Sequence, residues 1–95
     1  MDYNQELSRV RSEIDRIDTH IYSFLKIRTM LTTKVGELKQ KYGVIEMDRN
    51  RREEIYNRLE ELAIQDNLPV TLIKEVYDII FEQSIIQQTE ILNKL

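Results

Sequence analysis

From Leu7 to Leu38 apolar side chains recur at alternating spacings of three and four, with Leu7, Ile14, Ile21 and Val35 in one column and Val10, Ile17, Phe24, Leu31 and Leu38 in the other. A repeat held over more than four heptads is the signature of a long helix with a continuous apolar seam. No proline interrupts it. Gly43 suits the left-handed position just beyond a helix C-terminus, so the pattern predicts a first helix over residues 4–42. At about 1.5 Å per residue that helix is roughly 57 Å long. A compact domain of this size has a radius of gyration of about 12–13 Å. Much of the seam therefore runs beyond any core the chain builds for itself, and a second copy is the simplest cover for it: the arithmetic predicts a twofold homodimer.

The rest of the chain also reads as helix. Val44 to Met47 form a connector, and Asp48 is a good N-cap for a second helix. Ile55, Leu59, Leu62 and Ala63 keep helical spacing to about Ile64. Gln65 to Pro69 make a break, with Pro69 suited to the first turn of a third helix. That helix carries Val70, Ile73, Tyr77, Ile80, Ile91 and Leu95 along one stripe. Two glycines and one proline in 95 residues cannot punctuate the turns of a β-sandwich or an α/β sheet. The expected fold is all-α: a single domain over residues 1–95, with a long first helix and two shorter ones in an intertwined dimer.

Composition removes several function classes. There is no cysteine and one histidine, His20, so zinc ribbons, thiol catalysis and His-rich metal sites are out, and a reducing compartment fits. The net charge of −3 offers no basic field for a nucleic-acid backbone. Neither a signal-peptide pattern nor an 18-residue apolar run is present, and no membrane partner is expected. The expected location is the cytoplasm.

Polar residues where the pattern wants apolar ones carry the functional signal. Arg28 occupies a seam position, where a buried guanidinium costs several kcal/mol unless it meets an anion. It is either a register-setting polar residue, an ion-pair partner across the helix interface, or a ligand for a small anion. Lys39 lies eleven residues on, close to three helical turns, and so faces nearly the same way about 16 Å along. The stripe of the third helix is likewise interrupted, by Ser84 and Gln88. Arg11 is in neither column and about 25 Å along the helix from Arg28, so it reaches the same pocket only from a second chain. Gly36, inside the first helix, marks a close approach of another helix or a ligand. The five tyrosines are scattered and form no stacking platform.

Together these residues resemble the all-helical chorismate mutase family. The resemblance runs through Leu7-x-x-Val10-Arg11-x-x-Ile14-x-x-Ile17-Asp18, then Arg28, Val35-Gly36-x-x-Lys39, Asp48-x-x-Arg51 and Glu82-x-Ser84-x-x-x-Gln88. It implies an intertwined three-helix homodimer with two equivalent sites. Arg28 and the second chain's Arg11 would bind the carboxylates of chorismate. Lys39 and Gln88 would hydrogen-bond the ether oxygen and enolpyruvyl region, and Asp48, Arg51 and Ser84 would line the ring side. It implies no metal and no organic cofactor.

The chemistry suits the residue set. Rearrangement of chorismate to prephenate, a step toward phenylalanine and tyrosine, is unimolecular and needs no nucleophile or redox centre. An enzyme can add a compact substrate conformer and fixed positive charge at the oxygen of the breaking bond. One departure stands out: Arg51-Arg52 replaces the usual Arg-Glu, whose glutamate contacts the ring hydroxyl. Either Arg52 substitutes for it or Glu53 does, and the ungapped register favours Arg52. The alternatives are isochorismate pyruvate-lyase chemistry, another chorismate-type mutase, or a non-catalytic helical dimerisation module. The length leaves no room for a fused dehydratase or dehydrogenase, so the chain is expected to act alone or with a separate partner.

Overall fold

The computed structural model describes residues 2–93. They form three helices, α1 (Tyr3–Tyr42), α2 (Arg49–Gln65) and α3 (Val70–Leu92), and no strand occurs among them. Leu95, expected on the stripe of the third helix, lies outside the described residues. No helix among these is long and apolar enough to cross a membrane.

Each terminus has a local cause. α1 opens on a reciprocal cap: the Asp2 carboxylate accepts from the Gln5 amide at 2.9 Å, and the Gln5 side chain accepts from the Asp2 amide at 3.0 Å. This capping box satisfies two donors that would otherwise have no partner. At the other end Gly43 adopts φ +69°. The Val44 amide then reaches back to the Lys39 carbonyl at 2.8 Å and the Gly43 amide to that of Gln40 at 3.4 Å, the paired bonds of a Schellman stop. α2 ends in the same way with Asn67 at φ 56°, the Leu68 and Asn67 amides bonding the Ala63 and Ile64 carbonyls. Asp48 caps α2 as expected, its carboxylate accepting from the Arg51 amide at 3.0 Å. Pro69 sits one position earlier than expected, at the N-cap of α3 and with an extended ψ of 121°; it fixes the entry of the chain while Val70 begins the helix.

The described chain falls into two compact units, one ending at Leu31 and the other beginning at Thr32. The first is the N-terminal part of α1, and its seam is uncovered. Val10, Ile14, Ile17, Ile21, Phe24 and Leu31 are between 50% and 69% exposed. Leu7 and Arg28 are half-buried, and the other described residues of this unit are exposed.

The second unit holds the core. Ile55 and Ala63 of α2 and Phe81 of α3 are buried. The Tyr56 ring meets Phe81 edge-on with centroids 5.1 Å apart, Tyr77 lies against it at 5.7 Å, and the Arg52 guanidinium sits 5.5 Å from its centre. Edge-to-face rings and a cation over a ring face add to what burial alone supplies. Val70, Ile73, Tyr77, Ile80 and Ile91 are half-buried, as the expected stripe requires. Phe81, which that stripe omits, is its centre.

The last turns of α1 pack on the last turns of α3. Gly36 is buried, and a Cβ placed there would stand 2.8 Å from Ile91 Cδ1 and 3.6 Å from Gln88 Cα. The close approach expected at Gly36 is therefore to α3. The Gln40 side-chain amide also donates to the Ile91 carbonyl at 3.0 Å. Gly36→Ala should be tolerated to within about 1 kcal/mol, since only the mobile end of Ile91 must turn aside and alanine gains helix propensity. Gly36→Val, whose branches meet the Gln88 backbone, should cost about 1–3 kcal/mol by overpacking. Thermal unfolding of the two variants separates these outcomes.

Candidate active site

Two of the polar residues singled out by the pattern meet within the second unit. Lys39 Nζ donates to Gln88 Oε1 at 2.8 Å, and Gln88 is the buried polar residue of the core. A lysine ammonium has only donors to offer. The amide atom that faces it must be the oxygen, which turns Gln88 Nε2 into a donor for whatever else occupies the site. The same Nζ approaches the Met47 thioether at 3.7 Å, a weak acceptor supplied by the connector before α2. Lys39 is thus held from two sides, and of the three protons of an ammonium one is left to give to a ligand.

Phe81, Ser84 and Gln88 follow one face of α3 at helical spacing. Ser84 donates its hydroxyl to the Ile80 carbonyl at 2.8 Å, a common side-chain bond within a helix. Arg52 reaches this face at the Phe81 end. Arg51 is exposed and pairs with Glu54 at 3.3 Å, while Asp48 is engaged as the cap of α2. Glu53 belongs to a separate groove between α2 and α3, lined also by Tyr56, Asn57, Glu60, Lys74 and Asp78. Arg52 and Glu53, the two alternatives for one role, therefore stand at different places. In the first unit Arg11 is exposed and Arg28 half-buried.

The chorismate mutase type II family matches this chain over residues 10–89. The chain belongs to that family. The match takes in every expected site residue, from Arg11 to Gln88. Among curated proteins, the chain is 31% identical over 94 residues to a bifunctional chorismate mutase/prephenate dehydratase of Buchnera aphidicola, covering 99% of this chain and 24% of that protein. It is 28% identical over 80 residues to a chorismate mutase of Methanocaldococcus jannaschii, covering 84% of this chain and 81% of that one. A second bifunctional chorismate mutase/prephenate dehydratase, from Aquifex aeolicus, is 34% identical over 79 residues, with 83% of this chain and 19% of that protein covered. The chain thus spans about a quarter or less of the bifunctional relatives and about four fifths of the Methanocaldococcus jannaschii one.

Several residues that build the site in this chorismate mutase family member carry no mark in the sequence pattern. Met47 gives no signal in a connector. Thr32, Thr33 and Gln87 join α1 to α3: Thr32 Oγ1 donates to Gln87 Oε1 at 2.8 Å, and Gln87 Nε2 donates to Thr33 Oγ1. The adjacency of Gln87 to Gln88 is the only hint.

Outside the Lys39 region the marked electrostatic feature is Tyr56. Its phenol donates to the Asp78 carboxylate. Burial pushes its pKa up from the ordinary value, the hydrogen bond and the negative charge of Asp78 push the same way, and Arg52 opposes them. The neutral phenol is the form the fold favours. Its contribution to stability is complete below the unfolded tyrosine value of about 10 and is lost as pH rises through the higher folded value. Urea unfolding between pH 8 and 11 should show a steeper loss for wild type than for Tyr56→Phe.

Proposed function

We propose that this chain is a chorismate mutase, converting chorismate to prephenate by holding a reactive conformer and placing positive charge on the ether oxygen as the carbon–oxygen bond breaks. The observation that supports this most is the hydrogen bond between Lys39 and buried Gln88 in a chain of the type II family. The reaction is an isomerisation: one carbon–oxygen bond breaks, one carbon–carbon bond forms, and no atom enters or leaves. Groups that donate hydrogen bonds without accepting protons are what it requires. Lys39 Nζ and Gln88 Nε2 are two such donors on one oxygen, their mutual bond fixing both before substrate arrives. Preorganised donors act without reorganisation cost at the moment charge develops.

In this reading Arg28 binds one substrate carboxylate and the Arg11 of a second copy binds the other. Arg51 and Arg52 add positive potential on the ring side, and Asp48 and Ser84 line it. The dimer that this needs is supported by apolar surface on two elements. The α1 seam is exposed along its N-terminal unit, and Leu72, Val76, Ile79 and Ile86 form an exposed face of α3. Apolar exposure on this scale marks an interaction surface. The reading also places the enzyme in the cytoplasm, where a chain without cysteine forfeits nothing to reducing conditions.

Loss of chorismate absorbance with formation of prephenate is the direct test. Wild type should consume chorismate, and Lys39→Ala should lower kcat by about 100- to 1,000-fold, the cost of one lost donor to a developing oxyanion. Absence of turnover would leave a non-catalytic helical module, and turnover of isochorismate to salicylate and pyruvate instead would make it a lyase. The crossing of Arg11 has its own measurement. Arg11→Ala and Lys39→Ala dimers, each inactive, should regain about a quarter of wild-type activity after subunit exchange, because half the dimers are then mixed and each mixed dimer has one intact site. No recovery on mixing would place both residues of a site in one chain.

A further inference from the structure

The contacts between α1 and α3 advance together along both helices: Thr32 and Thr33 with Gln87, Gly36 with Gln88 and Ile91, Gln40 with Ile91. In this stretch the two helices run in the same direction, and the Lys39 to Gln88 bond lies between the glutamine pins at either end. Such a bond is sensitive to sliding. One residue of helical rise is about 1.5 Å, and a 2.8 Å bond is no longer one beyond about 3.5 Å. A slip of half a residue, about 0.75 Å across the bond, tilts the line from Lys39 to Gln88 by about 15° and re-aims both donors. Apolar packing at Gly36 limits approach but is not directional, because the end of the Ile91 side chain can rotate. Directional bonds do fix translation, and Gln87 accepts from Thr32 and donates to Thr33.

We propose that Gln87, held by Thr32 and Thr33, is a positioning residue that sets the register of α1 against α3 and so the placement of the Lys39 and Gln88 donors. The role for which they are placed rests on the chorismate mutase reading; the register claim does not. In this proposal Gln87 acts through the alignment of the two helices. Both of its amide atoms are used across the helix pair, so no substitution at that single position reproduces the pattern with an apolar or a purely accepting side chain.

The test replaces the whole polar contact by groups of the same shape, Thr32→Val, Thr33→Val and Gln87→Met together. Exchange of both partners for apolar isosteres is nearly neutral for stability, while the direction-specific bonds are gone. We expect a melting temperature within a few degrees of wild type, kcat reduced about 10- to 100-fold, and KM within about threefold. Thr32→Ser with Thr33→Ser, which keeps both hydroxyls, should restore kcat to near wild type. In a Lys39→Ala background the triple change should cost several-fold less in kcat than it does in wild type, since part of its effect passes through Lys39. The Gln88 side-chain amide resonances, read by nuclear magnetic resonance, should move when Thr32 and Thr33 alone become valine. An unchanged kcat, or an undiminished further loss in the Lys39→Ala background, would overturn the proposal. Should the triple variant fail to fold, Thr32→Val alone is read in the same way. Should wild type fail to convert chorismate, the mutase reading falls by itself, and unmoved Gln88 resonances in the valine pair would then overturn the register claim.

Discussion

The close approach of α1 to α3 at Gly36 is the contact from which the candidate site follows. Gly36 stands close against Ile91 and the Gln88 backbone, and one turn further along α1 Lys39 lies within 2.8 Å of Gln88. An ammonium beside a buried amide is expensive when left unsatisfied. Here each satisfies part of the other and keeps donors in hand. The result is a pair of hydrogen-bond donors set in place by packing before any ligand binds, the arrangement that electrostatic catalysis of a unimolecular rearrangement calls for.

The remainder of the chain supports that contact or extends it. α2 is fixed to α3 by Phe81, with Tyr56, Tyr77 and Arg52 around its ring, and the connector between α1 and α2 brings Met47 to Lys39. The Schellman stop at Gly43 ends α1 four residues after Lys39 and so determines where that connector begins. In the N-terminal unit the apolar seam is half exposed or more at Val10, Ile14, Ile17, Ile21, Phe24 and Leu31. In the proposed dimer a second copy covers that seam.

Much of this is legible in the sequence because the signals are periodic or rare. The heptad from Leu7 to Leu38, Gly43 as a stop and Asp48 as a cap each follow from one local rule, and α1 starts within a residue of its expected position because Asp2 and Gln5 form a box. Gln88 and Lys39 stand out as polar residues on faces that want apolar ones. Phe81 does not stand out. α3 carries apolar residues on more than one face, Leu72, Val76 and Ile79 as well as Ile73, Tyr77 and Ile80, so periodicity alone cannot single out the ring at the centre. The Thr32, Thr33 and Gln87 contact is invisible for another reason: short polar side chains on a helix have many possible partners, and the choice depends on a helix register that exists only in three dimensions. Arg52 shows the same limit. Its charge against a family pattern is plain in the sequence, whereas its seat on Phe81 is not.

In the proposed enzyme Lys39 and Gln88 form the oxygen-binding centre of a site completed by a second copy. A crystal structure of the protein with a bound dicarboxylate analogue of the rearrangement's transition state tests it most directly. The ether oxygen of the ligand should lie within hydrogen-bond distance of Lys39 Nζ and Gln88 Nε2, with the guanidinium of a second chain's Arg11 on one of its carboxylates. A ligand seated instead in the groove beside Glu53 and Lys74, or held by residues of one chain alone, would contradict it.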